Sequence, residues 1–328
     1  MKKRQIITIL LLLLFPFNVF AYSNQVIVGG ETIGIEVHSN GVYIVGFYPV
    51  SGKNIGENAG FKVGDIIKSV NNQPIEDINS LNNSLSEEMS YNFTVERSHK
   101  LISIPLTLKK EDNILKTGLY VKDQIQGIGT LSYIDPSTGI YGSLGHEILE
   151  TSSFSKFEIE NGNIYKAEVS TIKKSQNGIT GEKNATISQN IILGTIELNE
   201  SEGIFGVYQK IPEAATLEVA PKEAIKKGEA FIRTSIKKDK IEDYSIQILS
   251  LDEDSTSKNI LFEITDKRLL EKAGGIIQGM SGSPIIQDNK LIGVVNYVIV
   301  EDVKKGYGIF ITTMLEEGDK ILTNVKSN

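Results

Sequence analysis

The chain has 328 residues, 23% of them charged, and a net charge of −7. It has no cysteine, which excludes disulfides, Cys-based metal sites and thiolate catalysis, and only three histidines, His38, His99 and His146, which argues against a multi-histidine metal centre; the sequence calls for no cofactor and no metal. The acidic balance, with no basic tract beyond the N-terminus, argues against nucleic acid as a partner, and the length suggests two domains.

Residues 1–21 read as a targeting segment. Lys2, Lys3 and Arg4 precede an unbroken apolar run from Ile6 to Phe15, and Val19-Phe20-Ala21 fits a small-residue cleavage site. The run is short for a span of ~20 residues and is followed by Pro16 and Asn18. A cleaved signal peptide is expected, with a retained anchor as the alternative. Either one exports the rest of the chain across the cytoplasmic membrane, to be secreted or membrane-anchored.

Residues 22–108 read as a small binding domain. A strand over Gly41 to Phe47 is followed by the string Ala59-Gly60-Phe61-Lys62-Val63-Gly64-Asp65-Ile66-Ile67-Lys68-Ser69-Val70-Asn71. Asn71-Asn72 reads as a turn, and Ile78, Leu81 and Leu85 share one face of a helix over Asp77 to Met89. Two strands follow, with His99 at the hairpin tip between them. This layout resembles a PDZ domain. By that resemblance Thr32, Ile33, Gly34 and Ile35 form a carboxylate-binding loop, and an extended peptide adds as a strand beside Ile35 to Val37. His38 falls just past that strand and reads as a surface polar residue, with a peptide contact as the alternative. Asp65 reads as a turn residue.

Residues 109–328 open on a charged linker, Lys109 to Asp112, and continue as short strands with glycine turns. Several such strands at near-regular spacing point to an antiparallel barrel or sandwich, so the fold class is mainly β with short helices. Asp135-Pro136 carries its own turn chemistry, and the strand returning from it ends at His146. Lys237 to Asp254 reads as a solvated surface.

The chemistry centres on Gly279-Met280-Ser281-Gly282-Ser283-Pro284, which feeds a buried hairpin turning at Asp288-Asn289. Glycines on both sides of a serine allow the hydroxyl and neighbouring N–H groups to face one point, as a nucleophile with an oxyanion hole requires; a plain hairpin loop is the alternative. Ser283 is the second candidate nucleophile, disfavoured by the proline after it. A serine nucleophile needs a base, and His146 is the only histidine in this domain. The orienting acid stays open among Asp135, Asp266 and Asp288. Asp266 also reads as the N-cap of a short helix.

Three motifs carry a wider resemblance: Gly127 to His146 (GIGTLSYIDP…YGSLGH), Glu263 to Lys272 (EITDKRLLEK) and Gly274 to Ile286 (GGIIQGMSGSPII). On them the chain is similar, over nearly its whole length, to the stage IV sporulation protein B peptidases. These are membrane-associated serine peptidases of endospore-forming bacteria. The resemblance implies a PDZ-like domain followed by a chymotrypsin-like antiparallel β-barrel peptidase domain. It implies Ser281 as nucleophile, His146 as base and Asp266, fifteen residues before the serine, as third member. The N–H groups of Gly279 and Ser281 would form the oxyanion hole. It further implies self-cleavage and cleavage of a membrane-bound regulator of an intramembrane protease, in the space between mother cell and forespore membranes. Two other readings are a non-catalytic PDZ-containing scaffold and a broad-specificity envelope quality-control protease.

Overall fold

The computed structural model describes residues 22–324 except 88. The targeting segment at residues 1–21 lies outside the described residues. Among the described residues no helix is long and apolar enough to cross a membrane.

Two barrels and a small appended unit make up the structure. The second barrel is closed by six antiparallel strands. Gly228–Lys237 pairs with Lys240–Leu251, followed in order by Ile260–Ile264, Lys305–Phe310, Lys290–Val298 and Pro284–Gln287, which returns to Gly228–Lys237. Side chains alternate inward and outward along such strands, so each contributes every second residue to the core. Lys240–Leu251 shows the pattern: Tyr244, Ile246 and Ile248 are buried while the residues between them are not. The segment expected as solvated surface is therefore largely a barrel strand. Its charges lie at the two ends, Lys237 to Asp243 and Asp252 to Asp254, and flank the alternating stretch from Tyr244 to Ile248.

The first barrel is built around two 16-residue strands, Thr32–Phe47 and Leu119–Ile134, paired antiparallel. The other edge of Thr32–Phe47 carries the hairpin Ile159–Lys173 and Gly181–Thr195. Leu119–Ile134 continues to Ile140–Ser143 and then to Gly203–Val207. A bridge between Gly194 and Tyr208 joins the two open ends. Packed between the barrels, Val26, Tyr133, Phe205, Val294 and Ile309 form one core with the C-terminal helix residues Met314 and Leu315.

The small unit has its own core, including Val42, Ile44, Phe61, Ile67, Leu81, Phe93 and Leu106. Its helix Ile78–Ser84 starts at Asp77, whose carboxylate accepts from Ser80 N in a capping box, and Leu81 is buried on the expected face. Three turns read from the sequence are two-residue hairpin turns with both residues at positive φ: Asn71-Asn72, Ser98-His99 and Asp288-Asn289. Asp65 is held by Arg97 and by Lys62 N, as a turn residue would be.

The expected carboxylate-binding loop takes a different form. Thr32 to Ile35 lie inside the long central strand, opposite Thr130 to Gly127 on one side; on the other, Ile33 to Ile35 lie opposite Lys166 to Ile164. Both edges are occupied, so no peptide can add there. Gly34 serves space rather than a turn, since a Cβ placed on it would lie 2.6 Å from Ile187 Cγ2. His38 sits further along the same strand, 3.3 Å from Glu36. The division at residue 108 also dissolves. Residues 32–39 belong to the first barrel, residues 42–47 to the small unit, and Leu119 returns to the small unit's core before its strand re-enters the barrel.

Candidate active site

Ser281 and His146 come from different barrels and line one cleft of about 610 Å³ at the junction, with Ile35, Ile128, Leu144, Glu147, Ile148, Gly279 and Tyr297. His146 ends the turn after Ile140–Ser143, where Leu144 and Gly145 both take positive φ. Ser281 lies on the turn before Pro284–Gln287, and Gly279 and Gly282 take φ of 90° and 88° there. The two turns touch closely. A Cβ on Gly282 would fall 2.2 Å from Thr130 O and 2.5 Å from Leu144 N, so only glycine lets the serine loop lie against the histidine loop.

The serine loop is held from behind by one strand of the first barrel. Thr130 N donates to Ser281 O at 3.0 Å, Thr130 Oγ1 to Gly279 O at 2.7 Å and Ser132 Oγ to Gly282 O at 2.8 Å. Met280 N and Ser283 N close the turn on Ile277 O and Met280 O, and Gly282 N donates to Val295 O on the neighbouring strand. Three carbonyls are thus fixed on the inner side while the Ser281 side chain lies on the cleft. Its hydroxyl donates to Asn296 O at 3.3 Å. Ser283 is fully buried, with its Oγ 3.5 Å from Thr130 Oγ1, out of reach of a substrate.

His146 Nδ1 lies 2.8 Å from Glu147 O. A carbonyl can only accept, so Nδ1 carries the proton and Nε2 keeps its lone pair. Burial pushes the imidazole pKa down, opposed by this bond and by the Glu147 charge. The ring is therefore neutral at pH 7, as a general base must be. Tyr297 stacks on it, with centroids 5.7 Å apart and planes 24° apart, and so limits its tilt.

Asp266 is not brought to His146. Its carboxylate accepts from the backbone and guanidinium of Arg268 and from Ser245 N, and it caps the helix Lys267–Ala273. The Arg268 hydrogen bond holds its pKa down. The physical reason is local: a helix N-terminus and an arginine two residues on capture the carboxylate. Asp135 is bound to Ser137 in its own turn, and Asp288 lies in the hairpin turn. The carboxylate that acts on His146 belongs to Glu147, whose Oε2 is buried and has no hydrogen-bond partner among the described residues. Sequence reasoning missed Glu147 and Tyr297. The first adjoins His146, which was the available signal; only the fold brings the second to the ring. His99 is at an exposed hairpin tip, far from this chemistry in role and setting.

Two barrels that meet at a cleft with a glycine-flanked serine and a neutral, oriented imidazole define a serine endopeptidase. The chain belongs to the SpoIVB peptidase S55 family, whose model matches residues 113–315. A comparison with curated proteins finds no match. Among solved structures the chain is similar to the Rv3671c protease of M. tuberculosis in its inactive form, at 12% identity and TM-score 0.33, covering 60% of this chain and 83% of that one. The active form gives 13% identity and TM-score 0.32, with 57% and 70% covered. Human heparin binding protein gives 11% and 0.30, with 60% and 86% covered.

Proposed function

We propose that this peptidase uses Ser281 as nucleophile and His146 as general base, and that it is a regulatory enzyme of sporulation. In this reading it cleaves its own N-terminal region and a membrane-bound regulator of an intramembrane protease. The observation that carries the catalytic part is the shared cleft of Ser281 and His146, with Nδ1 tied to Glu147 O. Ser281 Oγ turns from Asn296 O toward Nε2 and attacks a peptide carbonyl as the imidazole takes its proton. The imidazolium then gives that proton to the leaving amine, and water completes hydrolysis of the acyl-enzyme. Catalytic hydrogen bonds in a substrate-free site are often long and tighten only with substrate. Ser281 N–H and Gly279 N–H supply the oxyanion hole. The regulatory part rests on the family and on the targeting pattern of residues 1–21, which would export the domains to the space between the two membranes. The small unit, PDZ-like in its sequence string, would guide recognition by a surface other than Thr32 to Ile35.

N-terminal sequencing of wild-type and Ser281→Ala protein, expressed with residues 1–21, tests both parts. The wild type should show a second N-terminus beyond any signal cleavage, and Ser281→Ala should lack it. An identical pattern in the two proteins would remove self-cleavage, and fluorophosphonate labelling of Ser281→Ala as strong as wild type would remove the nucleophile.

A further inference from the structure

Lys183 is 4% exposed, on the strand Gly181–Thr195, beneath the serine loop. Its Nζ lies 3.0 Å from Thr234 Oγ1 and 3.4 Å from both Thr32 Oγ1 and Thr130 Oγ1. Thr32 and Thr130 belong to the first barrel and Thr234 to the second. An ammonium has three N–H donors, and here three hydroxyls stand ready to accept one each. The Thr130 hydroxyl in turn donates to Gly279 O at 2.7 Å. The lysine stem packs under the same glycine, where an added Cβ would meet Lys183 Cβ and Cδ at 3.2 Å.

A buried cation without a carboxylate is expensive to keep. Among the described residues no acid reaches Lys183. On the elements around it, Glu31 precedes Thr32 and is half-buried, with its carboxyl pKa raised by desolvation. Glu182 pairs with Lys173 at 4.0 Å, and Arg233 pairs with Asp243 at 2.8 Å. On Leu119–Ile134, Asp123 receives Ile78 N and Lys122 lies 3.9 Å from Glu150; the serine loop itself has no ionisable side chain from Gln278 to Ser283. A methionine would fill the same space without the cost. The cost is borne beneath the loop that carries the nucleophile.

We propose that Lys183 is a positioning residue for the peptidase: acting through Thr130, its ammonium fixes the Gly279 carbonyl from beneath and so holds the Ser281 loop in the shape that attack requires. The proposal rests on Ser281 as nucleophile. The charge also sits in low-dielectric surroundings under the loop where a substrate oxygen turns negative, which it favours. Loss of the proton removes one donor and the charge. Burial alone brings the Lys183 pKa from 10.5 down to about 7, so this loss falls in the working range. Activity then needs His146 neutral and Lys183 charged, which makes the pH profile bell-shaped, with His146 on the acid limb and Lys183 on the alkaline limb.

The test is the rate at which a fluorophosphonate probe labels Ser281 in the full chain, between roughly pH 5 and 9, with melting curves to confirm folding. The wild type should show an alkaline limb near pH 7. Lys183→Met should lose that limb and label about tenfold more slowly at the wild-type optimum, the effect of one buried hydrogen bond. Should Lys183→Met fail to fold, the Thr130 pair still decides. Thr130→Ser keeps the hydroxyl and should label as wild type, whereas Thr130→Val should slow about tenfold. A wild-type rate that stays level above pH 7, an alkaline limb that survives in Lys183→Met, or Thr130→Val at the wild-type rate would each overturn the proposal while leaving the peptidase intact. A wild-type Ser281 that does not label at any pH would overturn the peptidase reading and this proposal together.

Discussion

Thr32-Ile33-Gly34-Ile35 and Gly279-Met280-Ser281-Gly282 look alike as strings. Each sets glycine among small and apolar residues, and each suggests a loop whose N–H groups receive a carbonyl. The fold treats them oppositely. The first opens a long strand paired on both edges, and its glycine makes room for Ile187. The second is a true turn, with two glycines at positive φ. Glycine answers two separate needs, space and backbone angle, and a sequence does not say which. The neighbouring strands decide, because only they reveal whether an added Cβ meets an atom or whether φ is positive.

Substitutions at the two glycines should separate these needs. Gly282→Ala is expected to have the larger effect. Its Cβ would strike Thr130 O at 2.2 Å, on a backbone at φ +88. We expect a loss of about 3 kcal/mol in chemical denaturation, from strain and clash together. The Ser281 loop would shift, and labelling by a fluorophosphonate should fall about a hundredfold. Labelling at the wild-type rate would show that the turn does not depend on contact with the histidine loop.

Gly34→Ala should act on stability alone. The backbone at Gly34 needs no positive φ, so the cost comes from the 2.6 Å contact with Ile187, about 2 kcal/mol. Trimming the neighbour with Ile187→Ala should recover part of it, and Ser281 labelling of the folded protein should stay at the wild-type level. Unchanged stability in Gly34→Ala, together with weakened peptide binding, would return the motif to the role its string suggests.

Asp266→Asn should have the smallest effect. Asparagine caps a helix about as well as aspartate, so only the charge facing Arg268 and the helix N-terminus is lost, up to ~1 kcal/mol. Labelling of Ser281 should hardly change. A fall of about 10⁴, the size seen when a triad loses its acid, would instead show that Asp266 reaches His146 during turnover.

Much of this molecule was legible before folding. The two-residue turns at Asn71-Asn72 and Asp288-Asn289 follow from residues that tolerate positive φ, and the β class follows from short apolar runs between them. Ser281 and His146 stood out because a glycine-flanked serine is distinctive and residues 109–328 hold one histidine. Asp266 shows where this logic stops. Its local signal was a helix cap and the family resemblance implied a catalytic acid, and in the folded chain the nearby Arg268 holds it in the first role. The strand Lys240–Leu251 was hidden for a related reason: the charged residues flanking it, Lys237 to Asp243 and Asp252 to Asp254, drew the whole segment to the surface, although Tyr244, Ile246 and Ile248 alternate inward between them.

By itself the sequence determined the residue types, the turns, the mainly β class and the choice of Ser281 and His146 as the candidate pair, because each depends on near neighbours along the chain. Only the tertiary structure decided that the Ser281 loop rests on Thr130 and Ser132, that Tyr297 stacks on His146, and that Lys183 lies buried beneath Gly279. It also decided that Thr32 to Ile35 are a strand and not a loop. Each of these depends on contacts between residues distant in sequence, brought together when two barrels bury their facing surfaces against one another.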